Sequence, residues 1–135
     1  MNKATDIRLE TENKWVPDGL YKQCQLIKNP KVFYIGMQNQ LWTMNMFQLQ
    51  GFYARDVISG KISIPTIDEM TKSYEDDAAE EAKLATLQDM VHFQAKYVNH
   101  LTQITNSDNC DTTGNTVILK SDCIYTFSHL FEMAG

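Results

Sequence analysis

Apolar and polar residues change rhythm several times along this chain, and each change marks an element. Residues 7–11 (IRLET) alternate as a half-buried strand does, and Pro17-Asp18-Gly19 is a strong turn signal. Residues 20–27 can return as a second strand, and Asn29-Pro30 breaks the chain again. Val32-Phe33-Tyr34-Ile35 is then a continuous apolar run bounded by Pro30 and Gly36. That pattern suits a strand covered on both faces, which needs neighbours that so short a chain supplies sparingly. The expectation is a missing partner sheet.

Residues 36–44 are polar and irregular, carrying Gln38, Asn39, Gln40 and Thr43. A helix is predicted over about 46–59, where Phe47, Phe52, Tyr53, Val57 and Ile58 recur near helical spacing. Gly60 stands where a C′ glycine ends a helix, and Thr43 or Asn45 can cap its start. Residues 62–65 read as extended. Thr66 and Glu69 have capping-box spacing, which starts a helix running to about Leu84. A further helix begins near Thr86, with Leu87, Met90, Val91, Gln94, Val98, Leu101 and Ile104 on one stripe. Two adjacent amphipathic helices predict an αα-hairpin lying on something apolar. After Asn106 the texture is loop-like, with a short strand expected at 116–119 and a short helix at 124–133.

Composition narrows the function classes. A chain of 135 residues, 43% hydrophobic, fits one domain with a single core. Net charge −5 and pI near 5.1 argue against nucleic acid, because phosphate contacts need clustered Lys and Arg. Acids gather instead between Asp68 and Asp89, as a solvated helical face. No apolar run approaches the roughly 20 residues that span a bilayer, and the N-terminus has no apolar signal core. Cys24, Cys110 and Cys123 show no C-x-x-C spacing, so a reduced, cytoplasmic setting is expected.

Catalytic and metal patterns are weak. His92 and His100 stand eight apart, where helical ligand pairs want three or four, so no metal site is expected. Ser128, His129 and Asp122 can be drawn together as a triad, but no nucleophile-elbow glycines support them. Adjacent Arg55 and Asp56 cannot share one helix face, and each is expected to pair elsewhere in a structural role. Among Gly19, Gly36, Gly51, Gly60, Gly114 and Gly135 no spacing makes a G-x-G-x-x-G phosphate loop.

One stretch carries a family signal. Asn29-Pro30-Lys31, an apolar strand, Gly36-Met37-Gln38, Gln40, Thr43, Asn45-Met46-Phe47, Gln50, Tyr53-Ala54-Arg55-Asp56, Ile58 and Gly60 stand in one order. That order resembles the flavin-containing monooxygenases, in their bacterial-type trimethylamine monooxygenase branch. The resemblance covers residues 6 to 105; Asn39 replaces an expected acid, and Gln48-Leu49 replace Asp-Ala. It implies an α/β fold, the C-terminal portion of a flavoprotein with two Rossmann-like dinucleotide-binding domains. Residues 1–62 would end the FAD-binding domain with short strands, a flavin-edge loop and a helix. Residues 63–105 would form a C-terminal helical extension, and 106–135 an unmatched tail. The two glycine-rich phosphate loops of such enzymes would lie upstream of Met1.

The resemblance also implies chemistry. NADPH would reduce FAD, and one oxygen of O₂ would pass to the nitrogen or sulfur of a small amine or sulfide. Gln38, Gln40 and Thr43 would contact the isoalloxazine, supported by Asn45 and Phe47, while Trp42 and Phe47 would line the substrate pocket. No residue of this chain is assigned a catalytic step, and a homodimer is the candidate assembly. From spacing alone, the same residues are ordinary loop amides, a cap and core aromatics. Lacking both phosphate loops, the chain is expected to be inactive by itself. The alternatives are a non-catalytic interaction module and a non-functional truncated product.

Overall fold

A computed structural model describes residues 7–41 and 43–106, with the side chains of Met44, Asn45 and Asn106 outside that description. Its elements run β1 (Leu20–Tyr21), β2 (Gln25–Leu26), α1 (Thr43–Ile58), α2 (Ile67–Glu81) and α3 (Leu87–Asn106). The strand and helix expected after residue 106 lie outside the described residues, as do Cys110, Asp122, Cys123, Ser128 and His129.

β1 and β2 pair antiparallel, with Leu20 opposite Leu26 and Tyr21 opposite Gln25. The single strand expected at 20–27 is therefore folded back on itself. Lys22 and Gln23 take φ of 51° and 56°, and the Cys24 N–H donates to the Tyr21 carbonyl at 3.3 Å. The left-handed conformation costs a non-glycine residue roughly 1–2 kcal/mol. The turn is held from outside: the Tyr97 hydroxyl of α3 donates to the Lys22 carbonyl at 2.7 Å, and Cys24 is fully buried.

Among the described residues, two other expected strands do not form. Residues 7–11 carry no ladder, although the Tyr34 hydroxyl donates to the Ile7 carbonyl. The run 32–35 contributes one isolated bridge, Phe33 opposite Gln25, with Tyr34 N–H donating to the Cys24 carbonyl at 2.7 Å. β2 thus lies between β1 and this segment. The run is not covered on both faces: Val32, Phe33 and Tyr34 are half-buried, and Ile35 is 41% exposed. Among the described residues no strand flanks its outer edge, so its apolar pattern has no second ladder to complete.

α1 begins at Thr43, three residues before the expected Met46, and ends at Ile58. Gly60 has φ +80° and its N–H donates to the Val57 carbonyl at 3.1 Å, the C′ role expected of it. The buried stripe is Met46, Leu49, Gln50, Tyr53 and Val57, turned from the expected one; Phe47 and Ile58 face outward. Of the expected stripe α3 buries Val91, Gln94, Val98 and Leu101 and adds Tyr97, while Leu87 at its start is exposed. These two stripes and Cys24 form the main core, and the Phe33 ring meets Tyr53 edge-on at 6.2 Å.

α2 starts with the expected capping box, Thr66 and Glu69 each accepting from the other's backbone N–H. It stops at Glu81, short of the expected Leu84. α3 has a second box, Thr86 with Asp89. The helices of the expected hairpin pack chiefly elsewhere: α3 lies mainly on α1, and α2 mainly on β1. α2 is tied to the N-terminal segment, Tyr74 donating to Asp18 at 2.8 Å and Glu81 accepting from the Val16 N–H at 2.6 Å. The Lys96–Glu80 pair at 2.7 Å joins α3 to α2. Among the described residues no helix is long and apolar enough to cross a membrane.

Candidate functional site

Residues 36–41 link the Phe33 bridge to the N-terminus of α1, and two buried glutamines hold them. Gln50 of α1 accepts from the Gly36 N–H at 2.9 Å. Its amide nitrogen donates to Gln38 Oε1 at 2.8 Å and to the Tyr97 hydroxyl at 2.9 Å. Gln94 of α3 accepts from the Leu41 N–H at 2.5 Å and donates to the Asn39 carbonyl at 3.2 Å. The Asn39 N–H donates to the Lys14 carbonyl at 2.7 Å. An irregular loop is thereby fixed by side chains, because it has no ladder to satisfy its backbone.

Gly36 sets the entry to the loop. Its φ is +80°, and a Cβ there would overlap the Phe47 ring, so the ring lies directly on the backbone. Only glycine serves here without strain. Phe47 remains 37% exposed, an aromatic surface beside the loop.

The loop's own amides are incompletely satisfied. Among the described residues, buried Gln38 Nε2 and Gln40 Oε1 have no hydrogen-bond partner. One is a donor and the other an acceptor, and leaving such groups unpaired costs roughly 1–3 kcal/mol each. They precede a helix N-terminus, where free N–H groups add partial positive charge.

The structure places Gln38 and Gln40 in this loop and Phe47 against its Gly36, with Thr43 exposed at the first residue of α1. Trp42 and the Asn45 side chain lie outside the described residues. Sequence reasoning assigned no role to Gln50 or Gln94, the two clamps. A signal existed: each is a long amide on an apolar stripe, and such a residue is buried only with partners.

Other candidates resolve into structural roles. Arg55 and Asp56, expected to pair elsewhere, pair with each other at 2.8 Å, while the guanidinium lies 4.9 Å from the Phe52 ring centroid. Long side chains can bend toward each other across the backbone even at adjacent positions. Burial pushes the Cys24 thiol far above the usual range, which leaves it no nucleophile. Among the described residues no group of His, Cys, Asp and Glu is placed to hold a metal ion.

No protein-family model matches the chain. Curated relatives do. A trimethylamine monooxygenase of Methylocella silvestris is 42% identical over 103 residues, which is 76% of this chain and 23% of the relative. One from Pelagibacter ubique is 38% identical over 108 residues, covering 80% of this chain and 24% of that protein. Among solved structures, Tmm from Pelagibacter sp. strain HTCC7211 superposes with a TM-score of 0.71 at 34% identity, over 87% of this chain and 26% of that one. The chain spans about a quarter of the length of the relatives it matches.

Proposed function

This chain is a homologue of the trimethylamine monooxygenases over the quarter of their length that it spans, and we propose that it supplies the flavin-edge part of such an enzyme. The parent would be an NADPH- and FAD-dependent oxygenase acting on the nitrogen or sulfur of small soft nucleophiles. Residues 36–41 and the start of α1 would hold the pyrimidine edge of the isoalloxazine. The observation that carries this reading is the unpaired donor on Gln38 and unpaired acceptor on Gln40.

The residues fit that group in kind. The pyrimidine edge presents an N–H flanked by carbonyl oxygens, which calls for an acceptor beside donors. Gln40 Oε1 would accept from the ring N–H, and Gln38 Nε2 would donate to an adjacent ring oxygen. Both atoms are turned inward, so binding requires the side chains to rotate. Gln38 would exchange its bond from Gln50, while Gln50 keeps Gly36 and Tyr97. The exposed Thr43 and the N-terminus of α1 would favour negative charge at that edge. The flavin supplies the redox and oxygen chemistry; these residues orient it, and Phe47 helps to exclude water.

The test is co-expression of this chain with the part of the Methylocella silvestris relative that it does not cover, followed by measurement of retained flavin. The assembled pair is expected to be yellow, with Gln40→Leu and Gln38→Leu each lowering flavin content. Full flavin retention in both variants would overturn the assignment.

A second reading is favoured by a specific observation. Ile35, Met37, Leu41 and Phe47 are all exposed around the same loop. A patch of that kind marks an interaction surface. In a non-catalytic module, this face would bind a partner protein, and the chain would associate through it while retaining no flavin.

A further inference from the structure

A second cluster lies on the far side of Tyr97. A cavity of about 190 Å³ opens between the Lys22 turn, α2 and α3. Lys22 is fixed there by its backbone, since the left-handed turn is bonded through its carbonyl to Tyr97 at 2.7 Å. Its amine is engaged as well: Nζ lies 2.8 Å from Nε2 of the exposed His100 and 5.1 Å from the centroid of the Tyr21 ring.

The charges around it are unevenly engaged. From α3, Lys96 lies in the cavity wall but is bound to Glu80 of α2 at 2.7 Å. Asp77 of α2 faces Lys22 as a through-space charge. His100 is the titratable group within hydrogen-bond reach of the amine, and it accepts only in its neutral form. Desolvation and the neighbouring Lys22 and Lys96 ammoniums hold it below the usual imidazole range, which favours that form. Burial also lowers Lys22 from the usual lysine range, against the opposing pull of Asp77.

A held amine with a base beside it, in a small cavity, is the arrangement of an activated lysine nucleophile. We propose that Lys22 is a carbonyl-capturing lysine, which condenses reversibly with small neutral aldehydes entering this cavity. His100 Nε2 takes a proton from the Lys22 ammonium. The free amine adds to the carbonyl carbon, forming the C–N bond. The nitrogen passes one proton to the carbonyl oxygen, the His100 imidazolium returns the other, and the oxygen leaves as water, giving the protonated imine. No oxidant or reductant enters the step. Asp77 and Glu80 on the α2 wall disfavour anionic carbonyl compounds. The proposal is independent of the flavin-edge reading, sharing with it only Tyr97, which holds the Lys22 turn.

The test treats the full chain with acetaldehyde and cyanoborohydride at neutral pH and locates the trapped adducts by peptide mapping. Lys22 is expected to be labelled several-fold faster than the exposed Lys31, Lys61 and Lys72, and its rate should rise at lower pH than theirs. His100→Gln keeps a hydrogen-bonding side chain without a base, and should bring Lys22 down towards the rate of the exposed lysines. Equal labelling of all four lysines in the wild-type chain would overturn the proposal. So would an unchanged Lys22 rate in a His100→Gln chain with wild-type circular dichroism. If that variant loses its helical signal, the pH dependence of labelling in the wild-type chain decides alone.

Discussion

α1 and α2 are helices of similar length, 16 and 15 residues, yet they are held in different ways. α1 buries a full stripe against α3 and sends Gln50 into a hydrogen-bonded network. α2 has one buried residue, Met70, and depends on a capping box and on polar ties to the N-terminal segment. Burial strength follows removed apolar area and is insensitive to salt, whereas exposed polar ties are individually weak. The difference teaches that the loop proposed to face a flavin rests on the rigid half of the molecule. The half with the acidic face is the one that conditions can loosen.

The comparison breaks most clearly in the core. Leu101→Ala, at a fully buried position between α3 and α1, is expected to cost about 3 kcal/mol in urea unfolding. A loss below about 1 kcal/mol would show that the α1–α3 interface is loosely packed. Gln50→Leu comes next. It removes the partner of the Gly36 N–H and of Gln38 Oε1, for an expected loss of about 2 kcal/mol. Faster amide exchange at Gly36 would show that the effect acts through the loop.

On the α2 side the effects are smaller. Thr66→Ala removes the N-cap and should cost about 1 kcal/mol, with the loss of protection in hydrogen exchange confined to the first turn of α2.

Acid and alkali should separate the two halves by sign. Hydrogen bonds from Lys14 and Tyr74 hold Asp18 below the usual carboxylate range, and bonds at the start of α2 do the same for Glu69. A carboxyl depressed in the fold contributes stability above its unfolded value, and that contribution is lost as pH falls through the folded one. Tyr53 and Tyr97 are raised above the usual phenol range by burial. Their contribution is complete below pH about 10 and is lost as pH rises beyond that. Acid titration followed by NMR should therefore release α2 and the N-terminal segment first, and alkali the α1–α3 pair. A simultaneous loss of both halves in acid would sink this distinction.

Legibility differed along the same line. The start of α2 at Thr66 and the closure of α1 at Gly60 were readable, since caps act through bonds within a few residues. The loop amides Gln38 and Gln40 were readable as candidates through the ordered residues 29–60 that carry the family resemblance. Strands failed. Residues 7–11 have the right alternation, but a strand exists only where another chain segment offers its backbone, and no local pattern states that. The Lys22-Gln23 turn was missed because neither residue favours φ above zero; Tyr97, 75 positions away, holds it there.

The sequence by itself determined the three helices, the capping box of α2, the closing glycine at position 60 and the kinship with trimethylamine monooxygenases. These depend on neighbouring residues or on residue order. Only the tertiary structure decided which face of α1 is buried, that Gln50 and Gln94 grip the loop, that one amide donor and one acceptor stay unpaired, and that Lys22 meets His100. Each of those is set by contacts between residues distant in the chain, where burial and hydrogen-bond satisfaction choose among side chains that look alike in sequence.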